Sequence, residues 1–272
     1  MFIYPDGEGW LIEVDAQQVD ALAKHIKRYK LRAKFDVRIQ PEKKVWSVWN
    51  DGGGWKGYGM GVEQKGIGCE DVRAPGMGRR VILEEGKKPE EEAEEVDEGV
   101  YKVRRYLRGV PEGQDELIRE SALPQESNVD YMGGIDYRKG CYVGQELTIR
   151  THHQGVVRKR ILPVMLYGKD EDVPKTLEYH PEKEYRVEGI PRETQIGRVE
   201  KRGRSAGKWL AGVGNIGLGL CRLEIMTDVK IQAEAGGYRE GDEFKLEWEV
   251  EGNGPEMVKV KAFVPSWHPT KQ

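Results

Sequence analysis

Beyond Gly155 the chain loses every helical period, and this change of pattern constrains its fold more than any other feature. Apolar residues there fall in short alternating runs at 156–166, 196–200, 220–225, 244–250 and 257–264, separated by glycine, proline and charge. Alternation at period two marks half-buried strands, and several short strands at this spacing suit a closed or partly closed antiparallel barrel. Residues 156–272 are therefore expected to form a C-terminal β-barrel domain.

The preceding part reads differently. Apolar runs flank the turn residues Pro5 to Gly9, which predicts a hairpin. Asp15 is placed to cap a helix in which Val19, Leu22, Ala23, Ile26 and Tyr29 form one apolar stripe. Phe35, Val37 and Ile39 alternate with charge, and a β-rich run follows at 45–49, so strands packed on a helix give an α+β pattern. Residues 52–61 are glycine-rich without a strand-to-helix context and read as a loop. The motif Asp71, Arg73, Pro75, Gly78-Arg79 leads into a strand at 81–83. Val100, Val103 and Leu107 mark a helix face opposite Arg104, Arg105 and Arg108, with Gly109 as the stop. The expected division is 1–155 and 156–272.

Glu84 to Glu98 holds nine acidic residues in fifteen, too few apolar groups to fold alone, and is expected to be a solvated loop. Overall charge is −3 and mean hydropathy is −0.70, so nothing global points to nucleic acid, and no apolar run approaches the roughly 18 residues of a membrane span. Locally, residues 138–160 hold six Lys/Arg against one Glu, +5 in 23 residues. Such a run is usually a solvated face, yet it suits an anionic small molecule or an acidic partner. Cys69, Cys141 and Cys221 stand far apart with no CxxC pair, which argues against a disulfide framework and against a self-contained zinc or cluster site.

The unusual residues concentrate between Leu123 and Arg160. Residues 135–137 read as a short strand, and 144–152 as a helix stopped by Gly155. Between them, Cys141 lies just ahead of the helix N-terminus beside Lys139, and both features favour a thiolate. A cysteine is also among the most buried residue types, so position alone leaves an inert buried thiol as the alternative. Of His152 and His153, about 100° apart on a helix, at most one can face the Cys141 loop, and neither is assigned as a metal ligand.

This segment resembles the signature of the YgfZ family of folate-binding proteins: KGC, an aromatic, any residue, GQE, then an arginine, a glycine and a basic pair. Here these are Lys139, Gly140, Cys141, Tyr142, Gly144, Gln145, Glu146, Arg150, Gly155 and Lys159-Arg160. Tyr106, Gly109, Pro111-Glu112-Gly113, Pro124, Glu126 and Asn128 also fall on the pattern, while Gly217-Leu218-Gly219-Leu220 with Arg222, and Pro265-Ser266-Trp267, resemble its C-terminal barrel. The wording GVPEG and LPQESN and the paired histidines are most similar to the mitochondrial branch, whose members assist 4Fe-4S assembly.

The resemblance implies a GcvT/YgfZ-like fold and a mitochondrial matrix location. It further implies tetrahydrofolate as ligand and a cluster shared between Cys141 and an A-type scaffold partner. Glu126 would meet the pterin edge, Tyr142 would stack on it, and Arg150 or Arg158 would meet the glutamate tail. A folate-dependent aminomethyl transferase and a non-catalytic folate-binding module stand as the alternatives. The transferase carboxylate falls at or before Met1, so the resemblance leaves catalysis open. In the family the wording of residues 1–4 is internal, which implies that an N-terminal portion is missing here.

Overall fold

A computed structural model describes residues 1–50, 66–89, 93–142, 144–183, 185–200, 203–230, 237–250, 252 and 254–269. The glycine-rich stretch 52–61 and residues 90–92 of the acidic run lie outside the described residues. The chain divides into two compact units, Met1–Val96 and Asp97–Gln272. The segment between Asp97 and the barrel therefore belongs, by its packing, with the barrel.

In the first unit, β1 (Phe2–Asp6) and β2 (Gly9–Glu13) form the expected hairpin, with Gly7 at φ +57° in its turn. Asp15 caps a 3-10 turn (Ala16–Gln18), accepting from the Gln17 amide at 2.9 Å, and α1 (Val19–Tyr29) follows. Its apolar stripe is only half-buried, and Tyr29 is exposed. β3 (Lys43–Val48), β4 (Ile67–Glu70) and β5 (Arg79–Glu84) make an antiparallel sheet of order β3-β5-β4. Residues 35–39 form no strand: alternation needs a ladder partner and a buried face, and here Phe35 and Ile39 are exposed. Tyr4, Met77, Val81 and Ile82 are buried. Beside them, Arg80 and the Tyr4 hydroxyl both donate to Glu13, the latter at 2.6 Å, so the buried cation is paired. In the motif Asp71 to Arg79, Arg73 clamps the buried Asp71 carboxylate at 2.7 and 2.8 Å.

The second unit begins with α2 (Glu98–Arg108). Asp97 accepts from the Gly99 and Val100 amides, and Gly109 ends the helix at φ +69°. The ends of the acidic run are thus structured, Glu84 in β5 and Asp97 as a cap, while the described residues 93–98 are exposed. The arginine face of α2 is not a solvated one. Arg104 and Arg105 are buried, and in the next turn α3 (Gly113–Glu116) supplies Glu116, which takes both Arg105 nitrogens at 2.7 and 3.0 Å and the Tyr106 hydroxyl at 2.8 Å. Burial alone would depress the Arg105 guanidinium, and Glu116 more than offsets this, raising it; burial and Glu116 raise the Tyr106 phenol.

After α4 (Gln145–Gln154) come β6 (Lys159–Tyr167), β7 (Gln195–Arg198), β8 (Gly207–Val213), β9 (Ile216–Arg222), a helical turn α5 (Leu223–Met226), β10 (Phe244–Val250) and β11 (Gly254–Ala262). The strands close into an antiparallel barrel of order β10-β11-β6-β9-β8-β7. Leu162, Val164 and Leu166 of β6 join its interior core, while Ile161 joins Tyr106, Leu210 and Leu218 in a second core on which Val103 and Leu107 pack. β6 is thus buried on both faces, which explains its near-continuous apolar run.

Two stretches differ from expectation. β8 breaks alternation with glycines and a bulge between Trp209 and Ala211, so it leaves no period-two signal. The helical turn α5 replaces the end of the strand expected at 220–225. Gly217 has a packing reason: a Cβ there would lie 2.4 Å from the buried Trp209 ring. Gly217→Ala should destabilise the protein by about 1–3 kcal/mol through overpacking. Chemical denaturation of the variant checks this, and an unchanged midpoint would contradict it.

Candidate functional site

The site is built outward from one buried cation. Arg160 on β6 is 2% exposed, although it belongs to the basic signature run. Its two terminal nitrogens meet the Asp130 carboxylate, each at 2.9 Å, and its guanidinium lies 3.5 Å from the Tyr131 ring centroid. Nη1 also donates to the Gln125 carbonyl at 2.6 Å. Asn128, held at φ +61°, donates from Nδ2 to the Ile161 carbonyl at 2.7 Å, and the Ile161 amide donates to the Glu126 carbonyl at 2.8 Å. Residues 125–130 are therefore fixed to β6 by both side chain and backbone. Gln125 carries the linkage onward, donating to the Thr148 carbonyl of α4 at 2.7 Å, with both residues buried.

α4 supports the cysteine segment. Gly144 starts the helix in the left-handed region at φ +89°, and Gly155 ends it where a Cβ would lie 2.6 Å from the Thr151 Cα. Among the described residues, 135–137 pair with no strand, and Tyr137 stacks on His152, with ring centroids 3.7 Å apart and planes at 13°. The Tyr142 amide donates to Gln145 Oε1 at 3.2 Å, and Lys139 Nζ stands 4.6 Å from the Tyr142 ring centroid. Cys141 lies between these anchors and is exposed, which excludes the buried-thiol alternative for this structure. Cys221 is wholly buried in the barrel, where desolvation raises its thiol pKa. Burial and then the Asp71 carboxylate raise that of Cys69, which is exposed.

A cleft of about 620 Å³ adjoins this segment. Its walls include the exposed apolar side chains Leu123, Tyr142, Leu147 and Val156, and its charged residues are Arg158, Lys159, Arg204, Arg222 and Glu126. Four cations against one carboxylate leave three positive charges, which favours an anionic ligand. Glu126 is not a lone acceptor: Lys159 Nζ meets its Oε1 at 2.8 Å. Two cations of the +5 run, Lys159 and Arg160, are thus neutralised by carboxylates upstream of it. Glu126 and Tyr142 come together in the cleft, with Cys141 next in sequence to Tyr142, whereas Arg150 is exposed on α4 and is not among the lining residues. Arg204 and Arg222 were not expected here. They reach the cleft from the barrel, far along the chain: no local pattern marks Arg204, and the pattern that includes Arg222 speaks of the barrel and not of a cleft.

Among the described residues no three His, Cys, Asp or Glu side chains are placed to hold a metal ion, and no helix is long and apolar enough to cross a membrane. Chemically, the site offers one accessible thiol, a cationic cleft with an aromatic wall, and a paired carboxylate.

Fold and site define a class, since residues 158–270, which span the closed barrel, match the family described as CAF17, C-terminal β-barrel domain. The relatives narrow it. The chain is 50% identical to the mitochondrial iron-sulfur cluster assembly factor IBA57 homolog of Pyricularia oryzae over 98% of this chain and 71% of that protein. It is 47% identical to the homologs of Chaetomium globosum and Aspergillus clavatus, over 97% of this chain and 66% and 65% of theirs. The chain belongs to this family of mitochondrial IBA57-type iron-sulfur cluster assembly factors. It spans roughly two thirds of the length of these relatives.

Two outcomes follow from the local chemistry. Alkylation near neutral pH should modify Cys141 first, Cys69 more slowly and Cys221 only on unfolding, as mass spectrometry of a time course would read; fast labelling of Cys221 would contradict the closed barrel. The second concerns His268, 6% exposed, which packs edge-on against Tyr131. Burial, with Arg160 second, lowers its pKa from 6.5 to about 4. A depressed folded value means stability is fully present above the unfolded pKa and is lost as pH falls from about 6.5 towards 4. His268→Gln should flatten the pH dependence of the melting temperature across that window, and an unchanged slope would remove His268 as its source.

Proposed function

We propose that this chain is a folate-binding accessory factor for 4Fe-4S cluster assembly in the mitochondrial matrix, acting with an A-type scaffold protein. The observation that carries the proposal is Cys141, an exposed thiol on a segment anchored at both sides to a helix tied to the barrel. The printed names of the relatives supply the process; the thiol supplies a place for it. A cluster normally takes four thiolates or their histidine substitutes, so Cys141 alone cannot hold one and the remaining ligands come from the partner. The cluster is cargo passing between the two proteins.

Tetrahydrofolate suits the cleft. The cleft's volume falls within the roughly 300–1,000 Å³ of small-molecule sites, and its cationic side chains stand beside an apolar and aromatic wall, matching a ligand with an aromatic head and an anionic tail. Tyr142 offers a face for a pterin, Glu126 an acceptor for its amino edge, and Arg158, Arg204 and Arg222 meet the carboxylates of the tail. Arg150, outside the lining, is the weaker candidate for that role. Bound there, a folate would supply a one-carbon carrier beside the thiol.

Anaerobic reconstitution of the chain with an A-type scaffold, followed by absorption and circular dichroism, tests the cluster role. Cys141→Ser should abolish the shared cluster while leaving the melting temperature within about 1 degree of the parent, because surface changes away from packed features are usually small. Cys69→Ser should assemble it normally. Calorimetric titration tests the ligand: Glu126→Gln should weaken tetrahydrofolate by about 1–3 kcal/mol, the range for a charge-assisted hydrogen bond. A Cys141→Ser protein that still forms the cluster would overturn the thiol's role, and equal folate affinity would remove Glu126 from the site.

A further inference from the structure

We infer that His152 is a positioning residue that fixes the Cys141 segment through its ring, not through metal or proton chemistry; the consequence for cluster transfer rests on the function proposed above. Between its ends the segment from Tyr137 to Tyr142 has little to hold it, and at the Tyr137 end the ring contact with His152 is joined by a side-chain hydrogen bond with the buried Gln125. Asp136, Arg138, Lys139, Gly140, Cys141 and Tyr142 are all exposed, and among the described residues this segment joins no sheet. Two tethers bind it to α4. At one end the Tyr137 ring lies nearly parallel on His152 with centroids 3.7 Å apart, and at the other the Tyr142 amide donates to Gln145.

The spacing of these anchors explains the thiol's exposure. Gln145 and His152 are seven residues apart on a helix, about 10.5 Å along its axis at 1.5 Å per residue. Five residue steps from Tyr137 to Tyr142 can reach about 17 Å when extended. The surplus makes the segment bow away from α4, with Cys141 on the bow. Part of the slack is taken up by the Asp136 side chain, which accepts from the Arg138 amide at 2.8 Å.

The Tyr142 end is a reciprocal pair of long hydrogen bonds on an exposed residue, the Tyr142 amide to Gln145 Oε1 at 3.2 Å and the Gln145 amide to the Tyr142 carbonyl at 3.3 Å, contacts worth little against chain entropy. The Tyr137 end is the stronger, because Tyr137 is half-buried and borders a cavity with Asp130, Tyr131 and Arg160, which belong to the buried Arg160 cluster. His152 is exposed and its neighbour His153 meets it edge-on at 4.8 Å, so the load-carrying surface of His152 is the face that Tyr137 covers. An aromatic stack needs a flat ring and no particular nitrogen. Phenylalanine should therefore replace His152, and alanine should not.

The test uses the full chain carrying Cys69→Ser, so that a nitroxide attaches to Cys141 as the one exposed cysteine. Electron paramagnetic resonance of His152→Ala should show a clearly more mobile label, while His152→Phe should match the parent, with melting curves confirming that both variants fold. In reconstitution with the scaffold, where Cys141 is unlabelled, His152→Ala should slow cluster formation by about tenfold or more, since small losses of alignment carry costs of this size, and His152→Phe should restore the rate. Unchanged label mobility in His152→Ala, or a mobile label in His152→Phe, would overturn the inference. The mobility result needs neither cluster nor folate, so it stands apart from the proposed function, which fails separately if Cys141→Ser assembles the cluster. A mobile label with a normal rate of cluster formation would overturn the positioning role itself.

Discussion

The buried pairing of Arg160 with Asp130 is the interaction on which the rest of the site depends. A guanidinium at 2% exposure is costly unless its charge and its donors are met. Here the carboxylate meets it bidentately, the Gln125 carbonyl takes a further bond and the Tyr131 face covers the plane. Removing either partner would leave a buried charge uncompensated, a loss on the order of 3–5 kcal/mol. What this pairing secures is geometry: an irregular segment, 123–134, with no sheet or long helix of its own, is held in one place on β6.

From that point each level constrains the next. The fixed segment offers Gln125 to Thr148, which seats α4; α4 offers His152 and Gln145 to the cysteine segment. The same segment offers Glu126 to Lys159 at the edge of the cationic cleft. An exposed thiol cannot be held by burial, so its position is set by a chain of tethers ending in the barrel. The barrel is the rigid element, and the loops and short helices on it carry the chemistry.

The barrel was legible in the sequence for direct physical reasons, whereas position alone left Cys141 open between an accessible and a buried thiol. Alternating runs announce strands, and Lys139 and the helix N-terminus favour a thiolate at Cys141 without deciding whether it is exposed. What escaped was long-range. Periodicity counts charge as polar and so gives no sign that Arg104 and Arg105 are buried; for Arg105 the compensating carboxylate is Glu116, eleven residues further on. Phe35 to Ile39 alternates without a ladder, and β8 has a ladder without alternation. Arg204 and Arg222 enter the cleft only because the barrel brings them there. The signature's basic pair concealed two roles: Lys159 meets Glu126 at the cleft, and Arg160 is interior.

Hydrogen exchange on an Arg160→Lys variant examines this hierarchy most directly. Lysine keeps the charge but loses the bidentate fork and the stacking plane. If the site stands on Arg160, amides in 123–134 and α4 should exchange faster in the variant, while the interior strands β9, β10 and β11 keep the parent's protection. Unchanged exchange across 123–154, or an equal loss throughout the barrel, would contradict the account.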